Sequence, residues 1–200
     1  YRDNNLRPLI EHLITDEFTS QEVISENVRP SCISLNEGLV TITSHGIFNK
    51  IDDHYSSALF QTSQNDLNNV FNRKVVHFLA CDTGQDLGPK LINNGCFAFF
   101  GYDEDFLFPP PNGNFGHLLK YFLEPDNIIV EMLANGETTG DAAKAALTAY
   151  DNSIMEVTKA CQDTGSNYIK YITKNKERFC YPNDSNATFG STNITINGLV

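Results

Sequence analysis

The sequence predicts an α/β fold, a mainly parallel sheet covered by helices on both faces. Three observations carry this. Leu39–Ser44, Val75–Ala80 and Cys96–Phe100 are short runs of apolar and β-branched residues with the length of single buried strands. Segments of helical spacing alternate with these runs, as connections between parallel strands require. No repeat and no linker interrupts the 200 residues, and their 40% hydrophobic content suits one core, so 1–200 reads as a single domain.

Taken in order, Leu6, Leu9, Ile10, Leu13 and Ile14 give Leu6–Phe18 the stripe of an amphipathic helix lying on the sheet. Gln21–Val28 is expected to be a short strand ended by Arg29-Pro30, and Asn36-Glu37-Gly38 a turn. Leu39–Ser44 is a strand, and Ile47–Ser63 a polar loop with a small hairpin. Leu67–Asn72 is expected to be a short helix with Leu67, Val70 and Phe71 inward. Val75–Ala80 is the central strand. Asp86–Asn94 is a helix closed by Gly95, the residue type favoured just past a helix end. After the strand Cys96–Phe100, the proline-containing stretch Phe106–Asn114 cannot be regular structure. Phe115–Leu123 and Ile128–Leu133 look helical. Thr138 and Asp141 have capping-box spacing and open a long helix with Ala143, Ala146, Leu147, Tyr150, Ile154 and Val157 on one face. Asn167–Phe179 is a last helix, and Asn193–Ile196 an expected edge strand.

Charge and composition exclude several classes. A net charge of −11 repels phosphate and argues against nucleic-acid binding. No apolar run approaches the ~20 residues that span a bilayer. The first residue, Tyr1, predicts a fragment or processed form. The five cysteines, Cys32, Cys81, Cys96, Cys161 and Cys180, are scattered with no Cys-x-x-Cys, which argues against a zinc site and for a reduced, cytoplasmic setting. Three sequons, at Asn183, Asn186 and Asn193, lie in a tail rich in Asn and Thr and read as composition.

The chemistry concentrates at two strand ends. Val75–Ala80 stops at Cys81-Asp82-Thr83-Gly84, and Leu39–Ser44 stops at His45-Gly46. If the strands are parallel neighbours, His45 and Cys81 emerge on the same carboxyl edge, where α/β proteins build sites. A cysteine beside a histidine is a nucleophile–base pair for carbonyl attack. Gly46 would let a backbone N–H approach an oxyanion, with the Cys81 N–H as second donor. Taken singly, each residue is more simply a core cysteine or a turn histidine; the matched settings give the pair its weight. His77 lies within the strand pattern and reads as a packed histidine, while His12, His54 and His117 read as surface residues. Cys96 and Cys161 read as core. A phosphatase loop needs an arginine six positions after its cysteine, where this chain has Leu87. There is no glycine-rich phosphate loop, and one Asp-Thr-Gly without an all-β frame does not make an aspartic protease.

These blocks resemble the caspase-like cysteine peptidases, the class of caspases, gingipains and separase, and most of all its CHAT-type branch. Ile42-Thr43-Ser44-His45-Gly46-Ile47-Phe48 is similar to the histidine block, and Ser57-Ala58-Leu59-Phe60 to the patch that follows it. Phe78-Leu79-Ala80-Cys81-Asp82-Thr83-Gly84 is similar to the cysteine block, with a matching helix and strand over Leu87–Phe100. The helix opening at Gly136–Ala143 also fits, so the resemblance spans Leu39–Tyr150. It implies a three-layer α/β/α sandwich and a cysteine endopeptidase with His45 and Cys81 as dyad. It implies no metal or organic cofactor, and a protein or peptide substrate with a possible regulatory partner or fused domain. The family's first strand is missing or lies upstream of Tyr1, and Gly101-Tyr102-Asp103-Glu104-Asp105 replaces its apolar-Trp-Pro segment. That loop corresponds to part of the pocket for the residue before the cut, so Asp103, Glu104 and Asp105 imply cleavage after a basic residue. The alternatives are a non-catalytic binding or scaffold module of the same fold, and more distantly an enzyme acting on another acyl substrate.

Overall fold

A computed structural model describes residues 25–34, 38–53, 55–162, 167–183 and 187–196. The elements are α1 (Ser25–Ser34), β1 (Leu39–Thr43), β2 (Gly46–Ile47), β3 (Lys50–Asp52), β4 (Ala58–Gln61), α2 (Leu67–Phe71), β5 (Val75–Leu79), α3 (Leu87–Asn93), β6 (Ala98–Tyr102), α4 (Leu119–Ala134), α5 (Thr139–Cys161), α6 (Tyr168–Glu177) and β7 (Phe179–Cys180). The main sheet has the order β1-β5-β6-β7. β1, β5 and β6 run parallel, and β7 closes the edge antiparallel to β6. A second sheet, β2-β3-β4, is an antiparallel meander.

Helices cover both faces, and the alternation along the strands shows why. Val75, Ala98, Phe100 and Tyr102 point to the face packed by α4, α5 and α6, with Leu79 and Cys81 at its margin. Val76, Phe78, Ala80 and Phe99 point the other way, onto Val28 of α1, Leu67, Val70 and Phe71 of α2, and Leu87 and Leu91 of α3. Two-sided burial is what a continuous apolar strand requires. Edge-to-face rings run through the second core, from Phe60 to Phe71, Phe78 and Phe99, with centroids 4.7, 6.1 and 5.8 Å apart. Among the described residues no helix is long and apolar enough to cross a membrane.

Local signals placed several boundaries well. Thr138 caps α5 by accepting from the Asp141 N–H at 3.1 Å. Gly95 has φ +93°, and the chain closes α3 with bonds from the Gly95 N–H to the Ile92 carbonyl and from the Cys96 N–H to the Leu91 carbonyl. That closure takes up Cys96, so β6 starts at Ala98 and runs to Tyr102, shifted two residues toward the C-terminus from the expected Cys96–Phe100. The acidic loop therefore begins directly at the strand end.

Other expectations fail where tertiary contacts override local preference. The described part of Gln21–Val28 is helical, and α1 continues through Pro30. Arg29 fixes it by donating to the Leu59 carbonyl at 2.9 Å and to Gln64 Oε1 at 2.8 Å, with an ion pair to Asp66. The two helical pieces after the proline loop are one helix, α4, preceded by a 3₁₀ turn and carrying Pro125 inside it. Burial of Phe122, Asp126 and Ile129 on both sides of Pro125 holds it together. Asn193–Ile196 forms no strand; Ile194 instead accepts from the Thr139 N–H at the start of α5, and β7 takes the sheet edge. The expected helix Leu6–Phe18, residues 36 and 37 of the expected turn, and His54 lie outside the described residues.

Candidate active site

The parallel register decides the geometry. Leu39 pairs with Val75 and the ladder runs without a break to Thr43 opposite Leu79. His45 and Cys81 each stand two residues past that last pair, so both leave the sheet at the same edge. The Ser44 N–H still donates to the Leu79 carbonyl at 3.3 Å, which carries the alignment one residue further. The His45 backbone is held from the other side, its carbonyl accepting from the Asp52 N–H of β3 at 2.8 Å. Its side chain is exposed.

Cys81 is half-buried and opens a turn tied to three elements. Asp82 has φ +58°, a left-handed conformation that Asp tolerates better than most residues. Its N–H donates to the Glu104 carbonyl at 3.2 Å, and the Gly84 N–H donates to the Tyr102 carbonyl at 2.7 Å. The Asp86 and Leu87 N–H groups share the Phe48 carbonyl, at 3.2 and 3.1 Å. Gln85 Nε2 donates to Asp82 Oδ1 at 3.0 Å and to the Asp103 carbonyl at 2.7 Å. Gly46 lies against this turn: a Cβ there would stand 2.8 Å from Thr83 Cγ2 and closer still to the Cys81 carbonyl oxygen. Only glycine lets β2 come this near.

The thiol itself sits under the acidic loop. Cys81 Sγ accepts the Phe106 N–H at 3.4 Å. Burial pushes the thiol above its ordinary value; the Phe106 N–H opposes this, and the carboxylates of Asp105 and Asp82 add to the rise. Asp82 is itself pushed up, by burial first and then by Asp105. At rest Cys81 is thus a protonated thiol.

The three loop carboxylates have different fates. Glu104 is held by Lys174 and Arg178 of the α6 end, each at 2.7 Å, and hydrogen bonding to Lys174 lowers its pKa. Asp103 is anchored through its N–H to the Arg178 carbonyl, and its Oδ1 is buried with no hydrogen-bond partner among the described residues. Asp105 is exposed and acts directly on the Cys81 thiol. The loop itself carries three carboxylates and no cation; the two cations come from Lys174 in α6 and Arg178 just past its end, brought to the loop by the docking of that helix.

Beneath the edge lies a buried polar chain. Thr41 Oγ1 and His77 Nδ1 are 3.1 Å apart, and His77 Nε2 is 3.0 Å from Asp126 Oδ1. The Tyr102 hydroxyl donates to Asp126 Oδ2 at 2.9 Å and lies 2.5 Å from the Tyr150 hydroxyl. His77, Asp126, Tyr102 and Tyr150 are all at most 3% exposed. Burial and the Asp126 charge keep both tyrosines far above their ordinary pKa, so they remain neutral donors. His77 is indeed a packed, bonded histidine, and His117 is exposed. Among the described residues no group of three His, Cys, Asp or Glu side chains could hold a metal ion.

Compared with known proteins, the chain matches no family model, no curated protein and no solved structure.

Proposed function

We propose that the chain is a caspase-like cysteine endopeptidase, a single domain over 1–200 of cytoplasmic setting, with Cys81 as nucleophile and His45 as its acid–base partner. The observation that carries this reading is the unbroken β1–β5 register, which leaves both residues at one edge. Because the thiol is protonated at rest, attack is coupled to proton transfer. Cys81 Sγ bonds to the peptide carbonyl carbon as its proton passes to His45, and the carbonyl electron pair moves onto oxygen. The N–H groups of Gly46 and Cys81 serve that oxyanion. Collapse breaks the C–N bond, and His45 returns the proton to the leaving amine. Water then cleaves the thioester, giving the acid product and the thiol.

The residue before the cut is basic on this reading. Glu104 is already paired, so Asp105, with Asp103 deeper in the loop, supplies the carboxylate for an arginine or lysine. A regulatory partner or fused domain is compatible with this role, and a nucleic acid is not a partner. The decisive experiment is mass spectrometry after treatment with a peptide electrophile bearing arginine at its reactive end. Selective adduction of Cys81 is expected; equal modification of several cysteines, or none, would refute the enzyme. One observation favours the second reading, a non-catalytic scaffold: burial and two carboxylates all disfavour the thiolate. On that reading Cys81→Ala removes no activity, and its effect is confined to the lost Phe106 N–H bond.

A further inference from the structure

We propose that Asn175 is the positioning residue of the site: from α6 it straps the loop Asp103–Phe108 over Cys81 and so sets how open and how well aligned the thiol is. The proposal rests on Cys81 being the reactive group of the site.

Asn175 has no exposed surface, and both ends of its amide are committed to one residue of the loop. Its Oδ1 accepts the Leu107 N–H at 2.9 Å, and its Nδ2 donates to the Leu107 carbonyl at 2.7 Å. An amide used this way imitates a neighbouring strand, satisfying both backbone groups of a residue that has no strand beside it. Leu107 follows Phe106, whose N–H is the donor on Cys81 Sγ. Two further fastenings hold the same loop to the end of α6, the Glu104 pair with Lys174 and Arg178 and the Asp103 N–H bond to the Arg178 carbonyl. The element that governs Cys81 is thus one remote in sequence, and Asn175 acts on the thiol only by way of the loop.

The strap has two opposed effects on the thiol, which makes it testable. It covers the sulfur, which slows any reagent and raises the pKa, and it presents the Phe106 N–H, which aligns the sulfur and lowers the pKa. Cover is the larger effect. The charged groups acting on the thiol are Asp82 from its own turn and Asp105 from the loop, with Lys174 and Arg178 of the α6 end acting by way of Glu104, while His45 leaves the neighbouring strand at the same edge.

The experiment is iodoacetamide alkylation of the intact native protein across pH, read cysteine by cysteine by mass spectrometry, with kcat/KM on an arginine peptide beside it. Asn175→Ala leaves two backbone groups of Leu107 without partners and loosens the strap, so Cys81 should alkylate about tenfold faster with a lower pH midpoint. Cleavage should fall, because the aligned sulfur is lost. Lys174→Ala combined with Arg178→Ala releases the loop without touching the core and should move both readouts the same way, by less. A merely structural role would expose Cys96, Cys161 and Cys180 together with Cys81, and that outcome overturns the proposal. So does an unchanged Cys81 rate in both variants. If the unaltered protein cleaves no peptide, the peptidase reading fails, while the alkylation arm still decides the role of Asn175.

Discussion

Replacing Gly46 by alanine adds one methyl group at the closest approach in the site. Gly46 does not have a positive φ, so the alanine backbone is permitted and the only obstacle is space. The new Cβ would meet the Cys81 carbonyl oxygen well inside contact distance, Thr83 Cγ2 at 2.8 Å and Ala80 Cβ at 3.0 Å. The Cys81 carbonyl cannot swing aside cheaply, because the turn after it is fixed to Tyr102, Glu104 and Phe48. Overpacking of this kind costs roughly 1–3 kcal/mol, offset by about 0.4–1 kcal/mol from the stiffer unfolded chain, leaving a net loss of about 1–2 kcal/mol. Urea unfolding should show a midpoint lower by about 0.5–1 M with an unchanged slope. The strain falls between β2 and the Cys81 turn, so it separates His45 from Cys81, and a misplacement of ~1 Å costs ~10²-fold in rate. A variant with the original urea midpoint and the original Cys81 alkylation rate would refute this, since it would mean that the turn yields freely and that Gly46 does not set the spacing.

The dyad itself gives a second test. Cys81→Ala and His45→Ala should each abolish cleavage with unfolding unchanged, and the double variant should be no worse than either; cleavage surviving in purified Cys81→Ala protein would end the peptidase assignment. Native thiol labelling should be much faster at Cys81 than at Cys96 or Cys180, both of which burial pushes up to about 12. Asp126→Ala should destabilise the fold by about 3–5 kcal/mol in denaturant titration, because His77 and Tyr102 lose a buried partner, whereas Tyr150→Phe should cost only about 1 kcal/mol. Asp141 has a pKa depressed below 3.8 by its bond to Thr138, so its stabilisation is present above that pH and is lost as pH falls through the lower folded value. Thr138→Ala should remove that part of the acid unfolding slope, measured by circular dichroism.

What the sequence made legible is what neighbouring residues decide. Val75 through Ala80 announces a strand buried on both faces, and Cys81-Asp82-Thr83-Gly84 announces where it stops. Thr138 with Asp141, and Gly95 after α3, announce helix ends through bonds that span only a few residues. That His45 and Cys81 leave the sheet at one edge needed one further assumption, that β1 and β5 are neighbours, and the register supplies that much. What stayed hidden depends on remote partners. Arg29-Pro30 reads as a break, and α4 as two pieces, because the contacts that retain those helices, Arg29 to Leu59 and Asp126 to His77 and Tyr102, join residues tens of positions apart. Asn175 looks like any polar residue of an amphipathic helix until α6 docks, and nothing local distinguishes it from Asn167.

The distribution of charge around Cys81 links mechanism to specificity. Four acidic residues cluster at the Cys81 turn, Asp82 and Asp105 acting on the thiol and Asp103 and Glu104 on Asp82, and the α6 end returns two cations. Both cations pair with Glu104 and only Lys174 also acts on Asp105, so the carboxylates nearest the sulfur are compensated only in part. A partly compensated pair of carboxylates works against a thiolate and for a bound cation, and these are one effect with two consequences. A peptide bringing arginine or lysine into the loop would neutralise Asp105 and Asp82, remove part of what holds the thiol protonated, and so ease proton loss to His45 at the moment of attack. A neutral residue in the same place would leave the thiol as it is at rest. On the proposed mechanism a basic residue therefore favours the chemical step as well as binding. Discrimination between arginine and an uncharged isostere should then appear in kcat and not in KM alone, and Asp105→Asn should narrow the difference in both.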